Sequence, residues 1–246
     1  MRVRVIVAYD GTGYGGFQRQ VNAPTVQASL EAALAQITQE KVTVLAAGRT
    51  DAGVHAVGQT IAFDTAWRHS LNDLQRALNA VLPVDIAILK VESAAADFHP
   101  RYDAVSRLYR YSLYNAPVRC PLSRRYSLHI AAPLDTAMMR RAAKSLVGEH
   151  DFATFGRPPQ RRRPGAVTVR RVLVAEWNTT SSEFTFDIEA NAFLYRMVRS
   201  IVGTLLLVGQ GRMCVEEFVT ALEARDRARA GPTAPPHGLC LMEVKY

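Results

Sequence analysis

Hydrophobic and polar residues recur along the first half of the chain with two periods, which predict a mixed series of strands and helices. Val3 to Tyr9 alternates with the two-residue period of a strand. From Thr25 to Ile37 the apolar residues recur at helical spacing, and Thr25 is a suitable N-cap residue. The elements predicted next are strands at 41–46 and 58–63, a helix after Ser70, and a strand at 85–91. This order is βαββαβ, the split-βαβ or ferredoxin-like unit.

The second half of the chain repeats this order with one extra helix. The predicted elements are a strand at 106–114, a helix at 133–147, strands at 168–177 and 183–189, a long apolar helix opening at Asn191, a helix at 216–228, and a strand at 239–246. We therefore predict an α+β fold of two ferredoxin-like (split βαβ, RRM-like) halves. The halves are expected to be related by a pseudo-twofold axis, with continuous sheets. The predicted domains are residues 1–104 and 105–246.

Composition narrows the partners that the protein can bind. The chain of 246 residues carries 30 Lys plus Arg against 22 Asp plus Glu, a net charge of +8, which favours a polyanion such as nucleic acid. The three cysteines are far apart and form no CxxC pair, so they support neither a disulfide framework nor a zinc site. The longest apolar run is too short to cross a bilayer. We therefore expect a cytoplasmic protein with no membrane partner, no metal site and no cofactor.

The candidate catalytic residue is Asp51, which lies between the two predicted strands at 41–46 and 58–63. Gly48 and Gly53 flank it and permit sharp turns on both sides. Arg49 is two residues away, so it can hold the carboxylate ionised or meet an anionic ligand beside it. The simpler interpretation of the same pattern is a tight turn with a surface salt bridge.

Four separated motifs resemble those of the TruA-type tRNA pseudouridine synthases. The first is Gly48-Arg49-Thr50-Asp51-Ala52-Gly53-Val54-His55, which is similar to the catalytic motif of that family. The other three are Tyr9-Asp10-Gly11 followed by Phe17-Gln18-Arg19-Gln20, the run Arg107-Leu108-Tyr109-Arg110-Tyr111, and Asn191-Ala192-Phe193 followed by Met197-Val198-Arg199. The resemblance thus spans nearly the whole chain through four separated motifs.

The resemblance implies an isomerase that converts uridine to pseudouridine at positions 38, 39 and 40 of the tRNA anticodon stem-loop. It also implies a homodimer that holds one tRNA across two subunits. In such an enzyme Asp51 would be the nucleophile, Tyr109 would stack on the target base, and Arg199 would approach the aspartate. Arg49 is suited to entering the gap that a flipped base leaves. Whether the carboxylate attacks C6 of uracil or C1′ of ribose stays open.

Two other interpretations compete with this one. A non-catalytic RNA-binding protein of tandem RRM-like units would use the tyrosines and arginines of strand 106–114, with Asp51 a structural residue. Gly11, Gly13 and Gly16 match the GxGxxG pattern of dinucleotide-binding proteins, but the next helix is predicted only near Thr25, too late to bind a pyrophosphate. A flexible loop carrying Arg19, suited to phosphate or sugar contacts, is the better interpretation of this stretch.

A basic, proline-rich stretch between the predicted helix at 133–147 and the strand at 168–177 is a further candidate for RNA contact. Its arginines are Arg157, Arg161, Arg162 and Arg163, and no acidic residue occurs from Phe152 through Ala175. Such a stretch is either a solvated charge run or a contact to the phosphate backbone of RNA.

Overall fold

A computed structural model describes residues 1–157 and 167–246, so most of the basic stretch at 157–165 lies outside the described residues. The chain divides into two compact units. The first comprises residues 1–105 and 240–246, and the second comprises residues 106–239. The predicted domains, 1–104 and 105–246, stay a prediction. No helix among the described residues is long and apolar enough to cross a membrane.

The described residues form a mixed α+β fold. Its strands are β1 (Arg2–Tyr9), β2 (Leu45–Ala46), β3 (His55–Asp64), β4 (Ile86–Ser93), β5 (Ser106–Asn115), β6 (Leu128–Ile130), β7 (Gly148–Asp151), β8 (Val169–Thr179), β9 (Glu183–Ala190) and β10 (Leu239–Lys245). Its α-helices are α1 (Val26–Thr38), α2 (Leu71–Val81), α3 (Thr136–Lys144), α4 (Met197–Gly209) and α5 (Val215–Glu223).

In the first unit, β1 lies between β4 and β3 and pairs antiparallel with both. The other edge of β3 is shared by two short pairings, an antiparallel one with β2 and a parallel one with Cys240 and Leu241 of β10. Val3, Val5 and Val7 of β1 are fully buried, as their alternation predicts. This sheet supports the loop that leads from β2 into β3.

Both predicted helices of the first unit are confirmed, and each begins at its predicted cap. The Thr25 hydroxyl accepts a hydrogen bond from the Ala28 amide at the start of α1. Ser70 and Asp73 form a reciprocal capping box at the start of α2, with each side chain accepting from the other residue's backbone N–H. The starts of α1 and α2 therefore follow from local chemistry.

The strand predicted at 41–46 is wrong in its extent, because only Leu45–Ala46 joins the ladder. Val44 lies just before it and is buried, but its hydrogen bonds go to side chains of α1. Its N–H donates to Oε1 of Glu31 (3.1 Å), and its carbonyl accepts from Nε2 of Gln27 (3.2 Å). These two side chains satisfy the backbone groups that a neighbouring strand would otherwise pair.

In the second unit the strand order is β5-β9-β8-β7 with antiparallel pairing throughout, and β6 pairs parallel with β5. The strands predicted at 106–114, 168–177 and 183–189 are confirmed. The sequence pattern missed β6 and β7, which have three and four residues and are too short to show a period. Helix α4 is buried along most of its length.

The helix predicted to open at Asn191 begins instead at Met197. The preceding backbone is paired with other segments. Asn191 N–H donates to the Arg171 carbonyl (3.1 Å), and Tyr195 N–H donates to the Arg157 carbonyl (3.1 Å). Because these two amides donate to distant segments, they cannot donate to carbonyls of a helix that would begin at Asn191. Arg196 therefore lies outside α4, whereas Arg199 lies in its first turn.

The helix predicted at 216–228 also differs, since α5 ends at Glu223. Arg225 has a positive φ of 55°, and the next amide, that of Asp226, donates to the Thr154 hydroxyl (3.0 Å). The chain turns away from the helix there because a left-handed residue cannot continue a right-handed one.

Candidate active site

Asp51 lies on the loop between β2 and β3, in a tight turn. Its carbonyl accepts a hydrogen bond from the Val54 amide (3.2 Å), and its side chain is half-buried. Gly53 has a φ of +75°, which a glycine adopts without strain, whereas Gly48 needs no such freedom. The turn thus depends on one of the two flanking glycines. The result is a carboxylate near solvent on a short loop anchored at both ends by β-structure.

Thr50, the residue before Asp51, is buried and held by both its side chain and its main chain. Its hydroxyl hydrogen-bonds with the hydroxyl of Tyr9 on β1 at 2.9 Å. Its carbonyl accepts from the Phe17 amide at 3.1 Å. Burial raises the pKa of Tyr9 well above its ordinary value, so this phenol stays protonated and keeps the hydrogen bond. The backbone next to Asp51 is therefore fixed.

His55, which ends the Asp51 motif and begins β3, is buried against the glycine-rich segment 10–17. Its Nδ1 accepts a hydrogen bond from the Gly11 amide at 3.0 Å. The same nitrogen lies 3.1 Å from Oδ1 of Asp10, which caps the turn at Gly11–Gly13. Nearby, the Gly53 amide donates to the Tyr14 carbonyl (3.3 Å). Hydrogen bonds thus join segment 10–17 to the Asp51 loop.

The contact between these two segments is so close that it requires glycine. A Cβ on Gly11 would lie 2.0 Å from the Val54 carbonyl oxygen. Gly16 has a φ of +105°, and a Cβ there would lie 2.7 Å from the Thr50 carbonyl oxygen. Segment 10–17 therefore packs against the Asp51 loop, and a phosphate or sugar contact by the wider loop that carries Arg19 stays a prediction.

The other predictions for this stretch have separate outcomes. Arg19 forms an ion pair with the buried Glu31 of α1. The helix that follows the glycines begins only at Val26, so no helix N-terminus lies at the glycines to bind a pyrophosphate. Two of the three glycines in the GxGxxG pattern, Gly11 and Gly16, thus serve close packing against the Asp51 loop, and Gly13 does not.

Arg49, the second predicted site residue, is exposed and forms no ion pair with any described residue. The simpler interpretation of the motif is thus right about the tight turn and wrong about a surface salt bridge between Arg49 and Asp51. The guanidinium lies at the protein surface two residues from the candidate carboxylate, where a charged group can contact a ligand.

In the second unit, Tyr109 lies on β5 with its ring edge-on to Phe193, with centroids 5.1 Å apart and planes at 85°. Its exposure is only 9%, so packing occupies most of the ring. Tyr111 on the same face is fully buried, and Arg110 on the other face forms a bidentate pair with Asp187 across to β9. The side chains of β5 thus alternate between a buried and a more exposed face.

Arg199 lies in the first turn of α4 and donates from Nε to the carbonyl of Ala234 (2.8 Å). The neighbouring carbonyl, that of Pro235, accepts from the hydroxyl of Tyr111 (2.9 Å). Arg199 therefore holds the segment leading to the closing strand. Asp51 and Arg49 belong to the first unit, and Tyr109 and Arg199 belong to the second.

Sequence reasoning missed the residues that support the site. His55 and Thr50 lie inside the recognised motif, and Phe193 lies inside another, but their contacts depend on segments far away in the chain. Within residues 1–157 and 167–246 there is no cluster of three or more His, Cys, Asp or Glu side chains that could hold a metal ion.

Comparison with known proteins defines the class. The model of a family described as tRNA pseudouridine synthase matches residues 5–103 and 142–246. A tRNA pseudouridine synthase A of Chloroflexus aurantiacus is 48% identical over 99% of this chain and 88% of the relative. Proteins of the same name from Moorella thermoacetica and Neisseria meningitidis are 46% and 43% identical, covering 99% and 100% of this chain and 99% and 92% of the relatives.

A match of this extent identifies an RNA-modifying enzyme. The chain belongs to the tRNA pseudouridine synthase family, and it isomerises uridine to pseudouridine in tRNA. The family resemblance inferred from the four motifs is confirmed. The competing interpretation, a non-catalytic protein of tandem RRM-like units, is not supported by these comparisons.

Proposed function

We propose that Asp51 is the nucleophile of the isomerisation. The observation that carries the proposal is the way the loop is held. Thr50 on one side of Asp51, and Gly53 and His55 on the other, each form a hydrogen bond with segment 10–17, and Thr50 also bonds to Tyr9. A carboxylate held in this way is preorganised for attack. Isomerisation breaks the bond from C1′ to N1, turns the uracil and forms a bond from C1′ to C5. C5 loses its proton and N1 gains one, so the composition of the nucleotide does not change. Attack at C6 of the base or at C1′ of the sugar forms a covalent intermediate that permits the turn.

The other three site residues have proposed roles in handling the target nucleotide. A base inside a stem must leave its stack before it can be isomerised. Arg49, exposed beside Asp51, enters the gap that the base leaves. Tyr109 presents its remaining exposed ring surface to the flipped uracil, and Arg199 keeps the catalytic carboxylate ionised and oriented.

We also propose that the substrate uridines are those at positions 38, 39 and 40 of the anticodon stem-loop. Two subunits of a homodimer would hold one tRNA in the cytoplasm. The net charge of +8 supports an extended contact with the phosphate backbone. The reaction needs no cofactor in this proposal, because a single carboxylate supplies the nucleophile.

Each unit is proposed to be a ferredoxin-like half. The order β4-β1-β3-β2 in the first unit, with antiparallel pairing, supports this assignment, as does the order β5-β9-β8 in the second. The pseudo-twofold relation and the continuity of the sheets stay predictions.

The test compares wild-type protein with Asp51→Asn on an unmodified tRNA transcript, with pseudouridines counted by site-specific chemical mapping. We expect the substitution to lower the single-turnover rate by at least about 10³-fold, since removal of a nucleophile removes the covalent route. Binding of tRNA should change by less than about threefold. Asp97→Asn is the matched control, because Asp97 is an exposed carboxylate of the same unit, and it should keep the wild-type rate.

Each outcome has a defined meaning. Equal rates for wild type and Asp51→Asn would show that another residue is the nucleophile. Pseudouridine outside the anticodon stem-loop would overturn the proposed positions while leaving the role of Asp51 intact.

A further inference from the structure

Tyr195 and Arg196 form an exposed pair just before α4. The guanidinium carbon of Arg196 lies 4.9 Å from the centroid of the Tyr195 ring, a cation–π contact. Tyr195 is 52% exposed, although its neighbour Leu194 is 5% exposed and anchors the segment in the core. An aromatic ring with a guanidinium at one face and solvent beside it can accept a second flat group.

The backbone holds this pair in an unusual conformation. Arg196 has φ 59° and ψ 13°, in the left-handed region that non-glycine residues seldom adopt. It serves as the N-cap of α4 but makes no side-chain cap hydrogen bond. Such a conformation costs free energy and persists only where the surrounding structure holds it. Residues in such conformations cluster at functional sites.

A third residue, Arg157, joins the pair through the backbone. Arg157 and Tyr195 form an antiparallel bridge, with N–H to O distances of 3.4 Å and 3.1 Å. Residues directly opposite in an antiparallel pair direct their side chains to the same face. Neither Arg157 nor Arg196 forms an ion pair with any described residue. Two cations and one open ring thus share a small surface.

The position of this surface relates it to the proposed site residues of the same unit. Phe193, two residues before Tyr195, contacts the ring of Tyr109, and Arg199 lies three residues after Arg196. The segment 191–196 therefore connects a ring proposed to stack on the target base with an arginine proposed to orient the nucleophile.

We propose that Tyr195, Arg196 and Arg157 bind one unpaired nucleotide of the tRNA beside the target uridine. The base stacks on Tyr195, and the two guanidiniums contact the adjoining phosphate, the combination by which proteins hold single-stranded RNA. The left-handed backbone of Arg196 turns its guanidinium onto the tyrosine. The proposal rests on tRNA as substrate and is independent of which residue is the nucleophile.

The experiment measures the Kd of the full chain for an unmodified tRNA transcript, together with the single-turnover rate at saturating protein. Tyr195→Leu should weaken binding by about 5- to 100-fold, because stacking on one base is lost, and Tyr195→Phe should restore it. The saturating rate should stay within about threefold of wild type for both variants. Loss of binding with retained chemistry is the opposite of the result expected for Asp51→Asn, so the two proposals fail separately.

Arg196→Gly makes a sharper test because it separates binding from folding. Glycine relieves the left-handed strain, so the Tm should rise by about 2–4 °C. The tRNA should nevertheless bind more weakly, and the slope of log Kd against log salt should fall by about one. Arg212→Ala is the matched control, since it removes one exposed charge beyond the other end of α4. It should change neither the Tm nor the binding of tRNA.

Three results would overturn the proposal. Wild-type affinity in both Tyr195→Leu and Arg196→Gly would show that this surface does not contact RNA. A salt slope unchanged by Arg196→Gly would exclude a phosphate contact. A change in sedimentation of these variants without RNA would assign the surface to contact with a second copy of the chain.

Discussion

The Asp51 loop and the segment 191–196 both present polar groups near solvent, but they are built differently. The Asp51 loop is fixed by hydrogen bonds at several residues on both sides of Asp51, and its closest contacts tolerate only glycine at Gly11 and Gly16. The segment 191–196 is tied by backbone bonds near its ends, and it displays exposed arginine and tyrosine side chains.

The difference matches the role proposed for each region. A nucleophile must sit within a fraction of an ångström of the reacting atom, so a rigid support contributes directly to rate. A surface that holds RNA gains most of its free energy from charge and stacking, which tolerate small displacements. Substitutions of residues that support the Asp51 loop should therefore lower both the stability of the fold and the rate of isomerisation. Substitutions of Tyr195 and Arg196 should instead lower the affinity for tRNA.

Among substitutions that support or break this comparison, Gly16→Ala is expected to change the free energy of unfolding the most. The new Cβ would lie 2.7 Å from the Thr50 carbonyl oxygen on a backbone with φ +105°, so we expect a loss of about 2–3 kcal/mol in the free energy of unfolding. The rate should also fall, because Thr50 adjoins Asp51. Thermal denaturation and single-turnover assays measure the two effects.

Gly13→Ala is the control for this prediction. Its Cβ would meet nothing within 4 Å, so the expected change is under about 0.5 kcal/mol. Similar stabilities for the two variants would show that the close approach at Gly16 does not support the loop.

Substitution of His55 is expected to have the next largest effect on the free energy of unfolding. In His55→Leu the Gly11 amide loses the acceptor at 3.0 Å and stays buried, which should cost about 2 kcal/mol. His55→Asn can place an amide oxygen near the position of Nδ1 and should recover at least half of that loss. Denaturant unfolding measures both variants. Equal loss in the two would mean that packing, and not the hydrogen bond, is what His55 contributes.

Tyr14 is expected to have the smallest effect, visible only at alkaline pH. Burial raises the pKa of Tyr14 to about 12, together with the Asp85 carboxylate, which accepts a hydrogen bond from the Tyr14 hydroxyl. The unfolded chain loses this proton near pH 10 while the folded chain keeps it. Stability should therefore fall as pH rises from about 10 to 12. Tyr14→Phe should make that fall shallower, as followed by unfolding at several pH values. An unchanged fall would assign it to other groups.

Elements that depend on local chemistry were predictable from the sequence. Helices α1 and α2 begin at Thr25 and Ser70 because a hydroxyl caps the first amides, whatever the rest of the chain does. Strand β1 follows from its alternation. The motif around Asp51 was recognisable because eight neighbouring residues of mixed chemistry carry it.

Other features required distant residues and could not be predicted. Strand β2 is short because Gln27 and Glu31 take the hydrogen bonds of Val44. Helix α4 starts late because Tyr195 pairs with Arg157, far away along the chain. The glycines at 11 and 16 gave a misleading signal, since their spacing matches a nucleotide site while their actual role is close packing.

By itself, the sequence determined the class of the protein, its candidate carboxylate, and the helices and strands whose periods and caps are local. Only the tertiary structure decided that segment 10–17 packs on the Asp51 loop and that Arg196 leaves the helix to lie on Tyr195. The physical reason is that buried backbone groups must find partners, and the choice among competing partners depends on which segments the fold brings together.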